Sequence, residues 1–169
     1  LRESIKNSED LIKNSLQIRN IEKKFTLFNA QIINEFINKN NIKLNFIGLH
    51  GQTIYHNAKV KISKQIGDGN LLSQLTKCTV INQFRQQDLD NNGQGAPLAP
   101  IFHYLICKHI HRNHKLECPI NIINIGGITN VTTILDFKEI ENDIHAYDIG
   151  PGNCLINEWI QTHTNKKFD

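Results

Sequence analysis

The chain has 169 residues, with 19 Lys and Arg against 16 Asp and Glu for a net charge of +3, and 39% of its residues are hydrophobic. Such a length buries a core without disulfides or a structural metal, and a small charge excess spread over scattered lysines does not mark a nucleic-acid surface. No apolar run approaches the ~20 residues of a membrane helix, and the opening residues lack the apolar core of a signal peptide, so the expected location is the cytoplasm. The sequence contains no Met and opens Leu1-Arg2-Glu3, which reads as a piece of a longer chain.

The apolar residues Leu11, Ile18, Ile21, Phe25, Phe28, Ile32 and Phe36 recur at helical intervals, predicting one long amphipathic helix laid on a core. Asn38 to Asn41 end it in a turn. Leu44 to Leu49 is strand-like and runs into His50-Gly51-Gln52-Thr53, a polar cluster at a strand's carboxyl end, where open α/β sheets bind ligands. Val60 to Ile66 alternates with period two as a half-buried strand does. A turn at Gly67 to Asn70, a short helix at Leu71 to Leu75 and a strand at Cys78 to Ile81 follow. Gln83 to Gly95 reads as a polar loop, and a helix runs from Pro97 to about Ile110.

The polar stretch from His109 to Glu117 marks the expected lobe boundary. Beyond it, Ile120 to Ile125 and Ile128 to Ile134 flank Gly126-Gly127 as a hairpin. His145 to Ile149 leads into Gly150-Pro151-Gly152-Asn153, and a last amphipathic helix carries Leu155, Ile156, Trp159 and Ile160.

Several clusters carry chemistry. Two glycines in a turn permit positive φ and let backbone N–H groups approach an anion, so Gly126-Gly127 suits a phosphate, or is a plain hairpin turn. Asp148 ends a strand before residues without bulk, a place for a general base or for a cap. His50, Gln52 and Thr53 offer an imidazole, an amide and a hydroxyl suited to a sugar's hydroxyls, or a loop that satisfies its own backbone. His109, His111 and His114 fit no standard zinc spacing, and a basic helix end explains them. Cys78, Cys107, Cys118 and Cys154 form no C-x-x-C pair and read as scattered buried thiols. No nucleophile elbow, Walker loop or dinucleotide fingerprint is present.

Taken in series, His50-Gly51-Gln52-Thr53, Gln65-Ile66-Gly67-Asp68, Phe84-Arg85-x-x-Asp88, Gly93-Gln94-Gly95-Ala96-Pro97-Leu98-x-Pro100, Asn124-Ile125-Gly126-Gly127-Ile128-x-Asn130 and Tyr147-Asp148-x-Gly150-Pro151-Gly152-Asn153 resemble the anhydro-N-acetylmuramic acid kinases. The resemblance implies an α/β fold of the actin/hexokinase-like (ribonuclease H-like) kind, with two lobes and ATP and sugar between them. It implies that water opens the 1,6-anhydro ring of anhydro-N-acetylmuramic acid while the freed 6-oxygen takes the γ-phosphate of ATP, giving N-acetylmuramic acid 6-phosphate in peptidoglycan recycling. By likeness Asp148 is the base that activates the water. His50, Gln52, Thr53 and Arg85 lie around the sugar, and Gly126, Gly127 and Asn130 form a phosphate turn. Mg²⁺ arrives with the nucleotide, no protein metal ligands are expected, and the complete protein is expected to be a homodimer.

The resemblance has departures. Where the family reads Asp-Phe-Arg-x-Arg-Asp and then Gly-Gly-Gln-Gly, this chain has Gln83, Gln87 and Asn92 for the first Asp, second Arg and first Gly, and Gln86 where Arg is frequent. Each lost Arg removes roughly 1.5–3 kcal/mol of charge-assisted hydrogen bonding wherever it met the lactyl carboxylate. The family's opening Gly-Thr-Ser-Leu-Asp-Gly loop does not occur here, and the family continues well past Asp169. The chain is thus expected to hold a partial first lobe (residues 1–118) and the opening strands and helix of a second (119–169), and alone to bind ATP very weakly and turn over no sugar. Two further readings stay open: a non-catalytic remnant of such a kinase, and a relative that acts on another sugar.

Overall fold

The computed structural model describes residues 4–114 and 116–166 of this chain, so the opening Leu1-Arg2-Glu3 lies outside the described residues. The fold is mixed α and β, and packing divides it into two units, Leu1–Ala96 and Pro97–Asp169.

The first unit starts with helices α1 (Ser8–Lys13) and α2 (Ser15–Asn40). The predicted single helix breaks at Asn14, whose backbone N–H and side-chain Nδ2 both donate to the Asp10 carbonyl, at 3.0 and 2.8 Å. A short amide side chain that competes for the helix's own acceptor interrupts it. Asn7 and Asp10 close a reciprocal capping box on α1, and the N–H of Lys6 holds the Asp10 carboxyl below its ordinary pKa. Ile18, Thr26 and Ala30 are the buried residues of α2, whereas Phe28, Ile32 and Phe36, core residues by periodicity, are 62%, 48% and 56% exposed. The apolar core of this unit joins Ile5, Ile18, Ile54 and Ile66, with Phe25 and Tyr55 packed against it.

Strands β1 (Phe46–Leu49) and β4 (Thr79–Asn82) pair in parallel, Phe46 opposite Thr79 and Leu49 opposite Asn82. Between them the chain makes an antiparallel pair, β2 (Gln52–Asn57) with β3 (Ile62–Ile66), and helix α3 (Gly69–Thr76). Strand β2 is absent from the sequence reading, which saw a polar cluster at its first residues. Gly51 makes the turn into it at φ +71, and a Cβ there would lie 2.3 Å from the Ile66 carbonyl oxygen, so only glycine fits. The predicted polar loop from Gln83 contains helix α4 (Phe84–Asp90), entered through a left-handed Gln83 at φ 58 and anchored by the buried Leu89.

The second unit contains α5 (Ala99–His114), β5 (Ile120–Ile125), β6 (Ile128–Ile134), α6 (Ile140–Asp143), β7 (Ile144–Pro151) and α7 (Cys154–His163). The strands form one antiparallel sheet in the order β5-β6-β7, and the hairpin strands fall on the predicted residues. Tyr104 and Cys107 of α5 pack on Ile134, with Ile120, Ile122, Phe137 and Ile144 around them. Because α5 lies on this sheet, the packing divide precedes it, ahead of the polar stretch at His109 to Glu117. The His111 ring lies tilted against Phe137 with ring centroids 4.9 Å apart and bonds the Leu116 carbonyl, and His109 accepts from Asn113, so both are engaged locally. Among the described residues no helix is long and apolar enough to cross a membrane.

The four thiols are unpaired: Cys154 is exposed, Cys78 and Cys118 are half-buried and Cys107 is buried. Burial raises the Cys107 thiol pKa, and burial together with the Asp136 and Asp143 charges raises that of Cys118. A raised pKa means less thiolate at neutral pH. Alkylation of the folded chain by iodoacetamide, followed site by site by mass spectrometry, is therefore expected to modify Cys154 first and Cys107 last.

Candidate functional site

In the first unit, a polar cavity of about 390 Å³ opens at the carboxyl ends of the parallel pair β1 and β4. His50 after β1, Asn82 and Gln83 at the end of β4, Gln65 of β3, and Glu22 of α2 are among the residues that line it. The turn between β3 and α3 forms its rim and is held from α2. Glu22 Oε1 accepts from Lys64 Nζ at 2.8 Å and from the Gly67 N–H at 3.2 Å, while Thr26 Oγ1 accepts from the Asp68 N–H at 3.0 Å. Asp68 in turn caps α3 by accepting from the Leu71 N–H at 3.0 Å.

The residues expected around a sugar meet here in part. Arg85 of α4 donates from Nε to His50 Nε2 at 2.9 Å and from Nη1 to the Gly95 carbonyl at 2.9 Å. The His50 ring therefore uses Nε2 as an acceptor, and its Nδ1 carries the hydrogen donated to the Gly51 carbonyl at 2.7 Å. Thr53 stands behind the cavity wall, its hydroxyl accepting from Gln65 Nε2 at 3.2 Å, and Gln52 is exposed at the start of β2. Asp88, three residues after Arg85 on α4, accepts from the Gly95 N–H at 2.7 Å, so Arg85 and Asp88 take up both backbone polar groups of Gly95. A Cβ on Gly93 would sit 2.0 Å from Asp88 Oδ2, and Gly95 is left-handed at φ +70, which explains the glycine pair of that loop. Asn92, in place of a family glycine, adopts φ 69, a conformation asparagine tolerates.

In the second unit, Gly126, Gly127, Asn130 and Asp148 gather at one end of the sheet. Asn130 lies directly opposite Asp148, and a register shift beside it makes Ile149 a bulge. Bulges re-aim side chains and recur next to functional sites. Neither Gly126 nor Gly127 takes a positive φ, contrary to the usual reason for such a pair. Their role is access: a Cβ on Gly127 would meet nothing within 4 Å, so the backbone there is open to an approaching group. The carbonyls of both face the other way, accepting from Gly152 N–H (to Gly127) and Asn153 N–H (to Gly126), each at 2.9 Å. Gly152 is the constrained glycine, because a Cβ on it would lie 2.1 Å from the Gly126 oxygen. Asp148 is exposed and, among the described residues, its carboxylate makes no hydrogen bond or ion pair.

Sequence reasoning missed Glu22, Thr26 and Gln65 as builders of the site. Glu22 sits among lysines on a helix's polar face and carries no signal; Gln65 stood in a quoted motif without a role.

A family model described as "Anhydro-N-acetylmuramic acid kinase" matches residues 1–169. Curated relatives bearing the same description include one from Pelagibacter ubique, 50% identical over 169 residues, covering all of this chain and 44% of that protein. Others are from Paramagnetospirillum magneticum, 37% identical over 155 residues (90% of this chain, 41% of that protein), and Methylobacterium nodulans, 37% identical over 155 residues (90% and 39%). The chain thus spans less than half the length of these relatives.

Replacing Gly152 by Ala is expected to force the Gly126-Gly127 turn out of place, since backbone rather than a flexible side chain occupies the space. The measurement is amide hydrogen exchange, with protection lost at Gly152 and Asn153 and retained at Leu72 of α3.

Proposed function

This chain belongs to the anhydro-N-acetylmuramic acid kinase family, and from that premise we propose that the whole protein is an ATP-dependent sugar kinase of peptidoglycan recycling. It opens the 1,6-anhydro ring of anhydro-N-acetylmuramic acid and phosphorylates the freed oxygen to N-acetylmuramic acid 6-phosphate. The fold is actin- and hexokinase-like with two lobes, residues 1–118 in the first and 119–169 opening the second. The protein acts in the cytoplasm as a homodimer.

The observation that carries this reading is the uncommitted Asp148 carboxylate beside an open glycine turn. Asp148 accepts a proton from water as the water oxygen bonds to C1 and the bond from C1 to the bridging oxygen breaks. That oxygen then bonds to the γ-phosphorus of ATP and ADP departs. Gly126, Gly127 and Asn130 orient the phosphates, the Gly127 N–H and the Asn130 amide as donors, while the Gly126 N–H closes the turn on the Ile128 carbonyl at 3.3 Å. His50, Gln52, Thr53 and Arg85 surround the sugar. The exposed Gln52 amide and the Thr53 hydroxyl suit neutral hydroxyls, His50 spends both ring nitrogens on Arg85 and the Gly51 carbonyl and so orients the guanidinium, and the Arg85 donors left free by His50 and Gly95 suit the lactyl carboxylate. Mg²⁺ brought with the nucleotide would keep most of its waters and be held largely by phosphates rather than by a protein cage. Bound with the nucleotide, it neutralises charge on the transferred group.

In protein of the relatives' length, Asp148→Asn is expected to lower formation of the sugar 6-phosphate by about 10²–10⁴-fold, the usual worth of a general base, with sugar affinity nearly unchanged. An unchanged rate removes Asp148 from the role. Sugar bound without any turnover by the unaltered protein supports the remnant reading instead.

A further inference from the structure

Strand β3 pairs with β2 along one edge only. On its other edge the Ser63 N–H, together with the carbonyl of Lys61, the left-handed residue (φ 53) just before the strand, flanks Ile62, and both are met by one side chain. This is the donor and acceptor pattern that a parallel neighbour strand would take up. No strand does so among the described residues. The carboxamide of Gln86 stands in its place, Oε1 accepting from the Ser63 N–H at 2.9 Å and Nε2 donating to the Lys61 carbonyl at 3.0 Å. Nε2 also donates to Asp90 Oδ1 at 2.8 Å, one turn further along α4, which fixes the side chain's own conformation.

Helix α4 depends on such a tie. It has seven residues, starts from a left-handed residue and lacks a side-chain cap at its N-terminus, so it is too short to hold itself. Leu89 supplies burial, which is non-directional and leaves rotation about the helix axis loosely set. Two hydrogen bonds from Gln86 to fixed backbone groups set that rotation. Arg85 is the next residue, and its bonds to His50 Nε2 and the Gly95 carbonyl require its guanidinium to arrive at one angle.

We propose that Gln86 is the positioning residue of the sugar site: by completing the edge of β3 it fixes α4 in rotation, holds Arg85 on His50, and thereby keeps the His50 ring as the Nδ1–H tautomer. The consequence for sugar binding rests on the functional reading above; the geometry does not. A displacement of about 1 Å at a binding group is enough to lose roughly 10²-fold in rate, which is the scale on which such a tie matters.

The test uses the 169-residue chain with ¹⁵N-labelled histidine at mildly alkaline pH, where imidazoles are neutral, and reads two-bond proton–nitrogen correlations. The wild-type chain is expected to show His50 protonated at Nδ1. Gln86→Met keeps length and helix propensity but removes both bonds; it is expected to move His50 toward the Nε2–H form and to speed Ser63 amide exchange at least 10-fold. Gln86→Glu keeps an acceptor for Ser63 but sets a carboxylate against the Lys61 carbonyl and Asp90, and is expected to shift His50 the same way by less. An unchanged His50 signature in either folded variant overturns the proposal, as does a wild-type ring protonated at Nε2. If both variants lose amide protection at Leu72, the role is structural and the proposal fails. Calorimetric titration with the anhydro sugar separates the two readings. A wild-type chain that binds none counts against the sugar site, while the tautomer result still decides the role of Gln86. Where binding is seen, Gln86→Met is expected to weaken it about 10-fold.

Discussion

Glu22 reaches from the middle of α2 to the turn between β3 and α3, one oxygen accepting from both Lys64 Nζ and the Gly67 N–H. One turn further along α2, Thr26 takes the Asp68 N–H and returns its own hydrogen to the Glu22 carbonyl at 2.8 Å. Thr26 is almost fully buried, so an unpaired Asp68 N–H beside it would bear a desolvation cost of about 1–3 kcal/mol. The two contacts fix where β3 ends and α3 begins, and the cavity rim is that junction. The long helix thus acts on the site through two polar side chains, while its apolar stripe is only partly used for burial.

The same constraint recurs wherever a short ladder ends. Arg85 and Asp88 satisfy both polar groups of the Gly95 residue, and Gln86 satisfies β3's open edge. In the second unit, the amides of Gly152 and Asn153 cross to the carbonyls of Gly127 and Gly126 where the β6–β7 ladder runs out. Backbone groups near a site cannot be left unpaired without loss, so the loops that carry function are those with the most side-chain and cross-loop bonding. This rigidity lets loops present a binding surface.

What was legible in the sequence follows from this. Periodicity exposed the hairpin strands Ile120–Ile125 and Ile128–Ile134, because their β-branched and apolar residues lie on a sheet covered by α5. It hid β2, whose opening Gln52 and Thr53 are polar, and α4, whose one buried apolar anchor, Leu89, makes no pattern. It overstated the core of α2, since the spacing of Phe28, Ile32 and Phe36 says which face is apolar and not whether it is covered. The motif residues were visible as types. Their pairing was not, because Arg85 on His50 spans 35 positions and Glu22 on Gly67 spans 45.

The aspartates show how structural bonding sets one carboxylate apart from the others. Asp10 accepts from Lys6 and Asn7 N–H groups, Asp68 from Leu71, Asp88 from Gly95, Asp136 from Phe137, and Asp143 from Lys138 and Glu139; Asp90 is taken by Gln86. Each of these carboxylates is thereby committed to a contact that holds a turn, a cap or a loop in place. Among the described aspartates Asp148 alone carries no such bond. It stands opposite Asn130 at a bulge, next to the glycine backbone left open by the crossing amides. Its carboxylate is spent on no contact that holds the turn, and that freedom is what supports the base role proposed for it.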